Sequence, residues 1–280
     1  YFHLKNRISS SFFNNIYSYQ KICLLIILST LFVGASFYFL SRTTVSIANY
    51  LPESIHRTLG DYSERLLVTY SKNEILENDS LNKIIKHLSH STGLNQSFKI
   101  YIINSNEPPN AFAIANGKIF IYKSLIDSAA SADELIGIIA HEMAHVIKHH
   151  STVNVIRYLG LSLIIKASFG IDNQYHVADF LFKPYSQELE TEADTIAADI
   201  LFKSGVSISG LKAFFSRKKD EDDDSVISRF LSTHPSSEAR LNNLKDLASI
   251  KISKPILTKN EWQELKKSCN ITERLNDRSS

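Results

Sequence analysis

The stretch Ala140–His150 reads AHEMAHVIKHH and holds four of the chain's ten histidines. It closes a longer run, SADELIGIIAHEMAHVIKHH (131–150). In that run Leu135, Ile138, Ile139, Met143, Val146 and Ile147 recur at helical spacing, and this broad apolar stripe predicts a largely buried helix. Ser131 with Glu134 three residues on has the form of a capping box and marks the start. His141 and His145 fall inside the stripe. On a helix, positions i and i+4 share a face one turn apart. Two imidazoles in a core need partners, and at this spacing both can reach one tetrahedral Zn²⁺. Glu142 sits beside them, where a carboxylate can take a proton from an attacking water.

The bulk composition narrows the setting. The chain has 280 residues, 44% hydrophobic and 21% charged, with a net charge of +2. That is an ordinary globular mix, and no basic patch interleaved with aromatics argues for nucleic acid. Cys23 lies in an apolar run and Cys269 near the end. They form no CxxC pair, so cysteine-based zinc binding is excluded, and no disulfide between them is expected because Cys23 would sit at bilayer depth.

Residues 22–40, ICLLIILSTLFVGASFYFL, carry no charge. A bilayer core takes about 20 such residues in a helix. The run exceeds the roughly 7–15 residues of a signal-peptide core, so a retained anchor in the lipid bilayer is expected rather than a cleaved leader. Lys5, Arg7 and Lys21 precede it without an acid; Arg42 and Arg57 follow. This bias favours an N-in, C-out orientation. It would place the rest of the chain outside the cytoplasm, in a bacterial periplasm or, alternatively, the mitochondrial intermembrane space. A second apolar run, Tyr158–Ile165, is too short to span and reads as a buried helix, or as a lid or membrane-surface helix.

The pattern divides the chain into an N-terminal segment (1–21), a transmembrane anchor (22–40), a connector with one or two short helices (41–72), a main domain (73–250) and a polar tail (251–280). In the main domain Leu81, Ile84, Ile85 and Leu88 mark a helix after Ser80, ended by Gly93. FKIYII (98–103), AFAIA (111–115) and KIFIYK (118–123) read as strands, with Asn116-Gly117 as a hairpin signal. They suggest a small antiparallel sheet. A later helix runs through SQELETEADTIAADILFKSG and ends near Gly205. Arg217–Asp224, RKKDEDDD, reads as a solvated, mobile loop. The fold class expected is α+β, mainly α-helical, preceded by one transmembrane helix.

HExxH is expected by chance about 0.02 times in a chain of this composition, so context has to decide its meaning. A three-ligand zinc site needs one more protein ligand. Glu188, Glu190, Glu192 and Asp194 cluster downstream in ELETEAD. Together, HExxH on one helix and ExxxD on a later one resemble the HtpX, CAAX-prenyl-protease and Oma-type membrane-associated zinc metallopeptidases. NAFAIANGKIFIY resembles that family's sheet beside the cleft, YSQELETEAD its third-ligand helix and FLSTHPSSEAR its T-H-P segment. The resemblance covers roughly residues 74–248. Two positions depart from the pattern: Ala115-Asn116-Gly117 stands where Pro-Gly is common, and Gln187 where an arginine is common.

The resemblance implies a zincin-like domain with one Zn²⁺ per chain, held by His141, His145 and Glu190, with Glu142 as catalytic base. Asp194, one turn from Glu190, would steady a ligand histidine by its other ring nitrogen. His234 of the T-H-P turn would come near the metal, where it would bind substrate, steady an oxyanion or block the open position. Arg240 would pair with the site's carboxylates. Helical geometry makes Glu192 a surface acid and leaves Glu188 ambiguous. It carries His149 one turn past the metal, as a supporting residue, and turns His150 to solvent. Asn110, Ala111, Phe112 and Ala113 would form the strand against which a polypeptide substrate adds. The reading that follows is a membrane-anchored zinc endopeptidase acting on unfolded or damaged polypeptides. A zinc-stabilised chaperone or assembly factor is the alternative. A prenyl-protein protease needs more membrane helices than this chain offers.

Overall fold

The structure, a computed structural model, describes residues 2–71, 73–94, 96–169, 183–217, 228–235, 238–246 and 255–268. The acidic run after Arg217, and Cys269, lie outside the described residues. The chain divides into two compact units, residues 1–47 with 156–174 and residues 48–155 with 175–280.

The first unit is built from helix α1 (Phe2–Tyr50) and the later half of α6 (His150–Phe169). Within α1, Tyr19–Leu40 is the one stretch among the described residues long and apolar enough to cross a membrane. The Tyr158–Ile165 run lies in α6 and packs along the end of this stretch. Arg157 Nε donates to Thr44 Oγ1 at 3.1 Å. A Cβ at Gly160 would stand 2.8 Å from Leu40 Cδ1, so the glycine permits the close approach. Leu159 and Leu163 on this half of α6 are exposed.

The second unit is organised around a sheet in the order β1-β2-β4-β3, formed by β1 (Glu74–Leu76), β2 (Lys99–Asn104), β3 (Ala111–Ala113) and β4 (Lys118–Tyr122). The expected hairpin joins β3 and β4: Ile114 N donates to Lys118 O, and Gly117 closes the loop at φ 85°. The expectation of an all-antiparallel sheet is corrected, because β2 pairs with β4 in parallel and the sheet is mixed. The chain crosses over between β2 and β3, so the hairpin returns β4 alongside β2 in the same direction.

Side chains alternate across the pleat. Ile100, Ile102, Ala111, Ala113, Ile119 and Ile121 face the main core, shared with helices α3 (Asp79–Thr92), α4 (Lys123–Ser128), α5 (Ala132–Ile147) and α7 (Gln187–Lys203). Phe112, Phe120, Tyr122 and Ile103 face the other way and are covered by Leu67 of α2 (Glu53–Ser71). The later part of the expected connector is therefore a helix, α2, packed on the sheet. Gly60 of α2 sits against the hairpin, where a Cβ would stand 2.2 Å from Asn116 N, and Asn116 Nδ2 donates to Asp61 Oδ1.

The helix ends follow their local sequence. Asn78, not Ser80, caps α3, its Oδ1 accepting from Ser80 N and Leu81 N. Gly93 and Gly205 close α3 and α7 in left-handed conformation, with paired hydrogen bonds of the Schellman type. Ser131 Oγ accepts from Glu134 N at the start of α5. The polar tail also contributes: α11 (Lys259–Ser268) docks on α3 through Lys83–Glu261, and Ile256, Leu257 and Leu265 join the main core. The short helices α8 (Ser209–Ser216), α9 (Ser228–Thr233) and α10 (Glu238–Asp246) complete the unit.

Candidate metal centre

Helix α5 is buried along nearly its whole length because it lies between the sheet and α7 and α8. His141, Glu142 and His145 are fully buried there. Their helix delivers both Nε2 atoms to one point, 3.1 Å apart. α7 lies across α5 and places Glu190 against them: Oε2 is 3.3 Å from His141 Nε2 and Oε1 is 3.6 Å from His145 Nε2. His234, at the end of α9, brings Nδ1 to 3.0 Å from Glu190 Oε1. One ligand atom from each of these four residues lies within 4.8 Å of all the others. Donor atoms around a tetrahedral zinc stand about 3.3 Å apart, so the separations, the burial and the nitrogen-and-carboxylate donor set fit that ion.

The surrounding residues hold the donors. Asp194, one turn after Glu190, lies with Oδ1 3.1 Å from His141 Nδ1. Arg240 grips Asp194 with two bonds of 2.7 and 2.9 Å, and its Nη1 lies 2.8 Å from Glu190 Oε2. The same guanidinium donates to Pro235 O and covers the Phe215 ring, which ties the T-H-P turn to the site. Thr233 Oγ1 donates to Asn110 Oδ1, linking that turn to β3.

Electrostatics follow from this packing. Burial alone would lower His141, but Asp194 and Glu190 outweigh it and raise it to about 9 in the metal-free chain. Burial alone would raise Glu190, yet the three histidines hold it well below the usual carboxylate range. Burial opposes Asp194 too, and Arg240 and His141 override it. His145 has no such carboxylate behind it, and burial holds it well below its ordinary value. For Glu142 burial wins and the carboxyl is raised. Its Oε1 lies 3.3 Å from His234 Nε2.

The structure thus brings together His141, Glu142, His145, Glu190, Asp194, His234 and Arg240. It reverses two assignments made from helical geometry. α5 stops at Ile147, and His149 adopts φ 55°. Its ring stacks on His56 at 3.8 Å, away from the ligands, so the supporting role expected of His149 is not where the structure puts it. His150 turns inward instead of to solvent; it is fully buried, and its Nδ1 lies 2.9 Å from His145 Nδ1. Glu192 is not a bare surface acid, since it meets His150 and Lys148. Tyr185, unremarked in the sequence, stacks on the His145 ring at 4.1 Å, and its hydroxyl lies 3.3 Å from Ser151 Oγ. Nothing in local pattern marks it.

Two imidazoles one helical turn apart, a carboxylate crossing from another helix, and a separate buried carboxyl beside them define the metallopeptidase class. Comparison with known proteins places the chain within that class: residues 76–248 match peptidase family M48, and the chain belongs to it. Mitochondrial metalloendopeptidase OMA1 of Saccharomyces cerevisiae is 27% identical over 249 residues, covering 78% of this chain and 72% of the relative. Metalloprotease YcaL of Escherichia coli is 29% identical, covering 59% of this chain and 68% of its own. Protease HtpX of Legionella pneumophila is 34% identical over 41% of this chain and 40% of its own. The chain spans 58% of the Schizosaccharomyces pombe OMA1 and 32% of the bovine one.

Proposed function

We propose that this metallopeptidase is a membrane-anchored zinc endopeptidase that cleaves unfolded or damaged polypeptides. The observation that carries the reading is the placement of Glu142: fully buried, raised above an ordinary carboxylate, and one residue from a converged donor set. Zinc held by His141, His145 and Glu190 would supply Lewis-acid polarisation of a peptide carbonyl and a water. Glu142 takes the proton of the attacking water and returns it to the leaving amine. Asp194 and Arg240 keep His141 and Glu190 aimed.

The edge strand β3 supports a substrate bound in extended form. Asn110 and Ile114 exchange backbone bonds with β4, which leaves the amides and carbonyls of Ala111 and Ala113 on the outer edge. Recognition through main-chain groups is indifferent to sequence, as cleavage of unfolded chains requires. In the present state Ser151 Oγ donates to Ala113 O and His234 Nε2 lies 3.4 Å from Ala111 O, so substrate would exchange with these partners. The Tyr19–Leu40 segment would anchor the enzyme in a bilayer, with the domain on the face opposite the basic N-terminal residues.

One observation favours a second reading. His234 stands within the donor group itself. As a fourth ligand it would leave no room for substrate and give a zinc-stabilised chaperone or assembly factor with latent proteolysis. Cleavage of an unfolded protein by the zinc-loaded chain, its Glu142→Gln variant and its His234→Ala variant separates the readings. Zinc retained with cleavage undiminished in Glu142→Gln removes Glu142 as the base. A rise in His234→Ala shows gating, and equal inactivity of wild type and His234→Ala supports the binding protein.

A further inference from the structure

The two ligand histidines are held in different ways. His141 leans on a buried carboxylate, Asp194, locked by Arg240. Behind His145 stands another imidazole. His145 Nε2 faces the donor group, so its ring proton resides on Nδ1, and Nδ1 meets His150 Nδ1 at 2.9 Å. Two ring nitrogens at that distance share one proton, which makes His150 Nδ1 the acceptor. The proton of the neutral His150 then lies on Nε2, which faces Glu192 Oε2 at 3.3 Å. The other Glu192 oxygen takes Lys148 Nζ at 2.6 Å. The hydrogens along this line are all accounted for, and it runs from a fully buried ligand to a carboxylate whose side chain is 39% exposed. The reversed turn at His149 makes the line possible, because it swings one histidine out onto His56 and the next one in beneath His145.

We propose that His150 is a positioning residue for His145, and that Glu192 acts through it to set the strength of His145 as a metal ligand from the protein surface. Glu192, accepting from His150, makes the opposite ring nitrogen a better acceptor. That draws on the His145 proton and enriches its Nε2. Lys148 draws the carboxylate's charge the other way. The pair therefore works as an electrostatic trim on one ligand, whereas the Asp194–Arg240 pair behind His141 is sealed from solvent. The proposal rests on the zinc reading of the site.

The test is zinc affinity of the full chain in detergent, measured by chelator competition at one fixed pH. Glu192 is half-exposed, so Glu192→Gln alters the line without disturbing the core; about tenfold weaker zinc binding is expected, the lower end of the effect of outer partners on metal affinity. Lys148→Met is expected to tighten it. His150→Asn keeps an acceptor for His145 but cannot reach Glu192, so in that background Glu192→Gln is expected to have no effect. Unchanged affinity in Glu192→Gln overturns the proposal. So does an equal loss in the His150→Asn background, which would mean a field acting through space. So does a Lys148→Met change in the same direction as Glu192→Gln. A wild-type chain that binds no zinc overturns the metal reading itself, an outcome distinct from the others.

Discussion

Arg240→Met tests whether the centre is held by charge balance. Arg240 is 2% exposed and is the cation that two buried carboxylates share. Three of its contacts to Glu190 and Asp194 are between 2.7 and 2.9 Å. In the metal-free chain, protonated His141 and Arg240 offset Glu190 and Asp194, two charges against two. Methionine fills much of the volume and removes one positive charge, which leaves one buried carboxylate uncompensated. Breaking a buried pair in this way costs about 3–5 kcal/mol, a large share of the 5–15 kcal/mol typical of a whole domain. Arg240→Lys keeps the charge and loses the two-pronged grip, so its loss should be smaller. The chain's single tryptophan, Trp262 on α11, packs on the main core and reports unfolding in urea. The reasoning fails if Arg240→Met, with chelator present, unfolds within about 1 kcal/mol of wild type, below any buried-pair cost. It also fails if the lysine variant is as unstable as the methionine one.

Zinc uptake should displace the His141 proton. With His141 raised to about 9, zinc affinity should climb at least about tenfold per pH unit between 7 and 9, because the ligand must be neutral and a proton held on Glu142 adds to the slope. The stability sign agrees: a raised histidine stabilises the metal-free fold fully below its unfolded value of 6.5, and that contribution is lost as pH rises through about 9. Chelator competition and melting across that window check both, and a flat affinity profile contradicts the linkage. Gly210→Ala probes the approach of α8 to α5. Its Cβ would stand 2.3 Å from Asp133 O and 2.8 Å from Glu134 N, both backbone, so neither can rotate away. Overpacking of this kind costs about 1–3 kcal/mol. A melting temperature equal to wild type would show that the two helices separate freely.

Half of the site was legible because it is local. An apolar stripe of period 3.6 and a pair of histidines four apart lie on one helix, so sequence spacing and spatial proximity coincide. The same holds for Glu190 and Asp194. What eluded the sequence depends on events that no local window records. A single left-handed residue at His149 exchanges the environments of two neighbouring histidines, and continued helical phase misplaces both. Glu192 looks like a surface acid until α7 is laid across the end of α5. The parallel pairing of β2 with β4 is set by a crossover, while the strand patterns alone fit either direction. The packing of the tail is hidden in the sequence because α11 buries little of itself; Trp262 and Leu265, three apart, make a thin stripe among charged residues.

The charge balance inside the core suits a divalent ion and a base held together. Glu142, Glu190 and Asp194 are buried, and Arg240 is the buried cation among them. When all three carboxylates are ionised, the enclosed charge is two negative units, which one dication cancels. In the metal-free chain the same balance is met with protons: His141 is raised to about 9 and Glu142 is pushed up by burial. On the proposed reading, loading the centre would trade protons for metal, and the cation's field would lower the cost of ionising Glu142 where it stands. The carboxylate would then become a base when the site is ready to use one. Asp194 and Arg240 confine that exchange to His141 and Glu142, because their own charges are locked to each other by two short bonds.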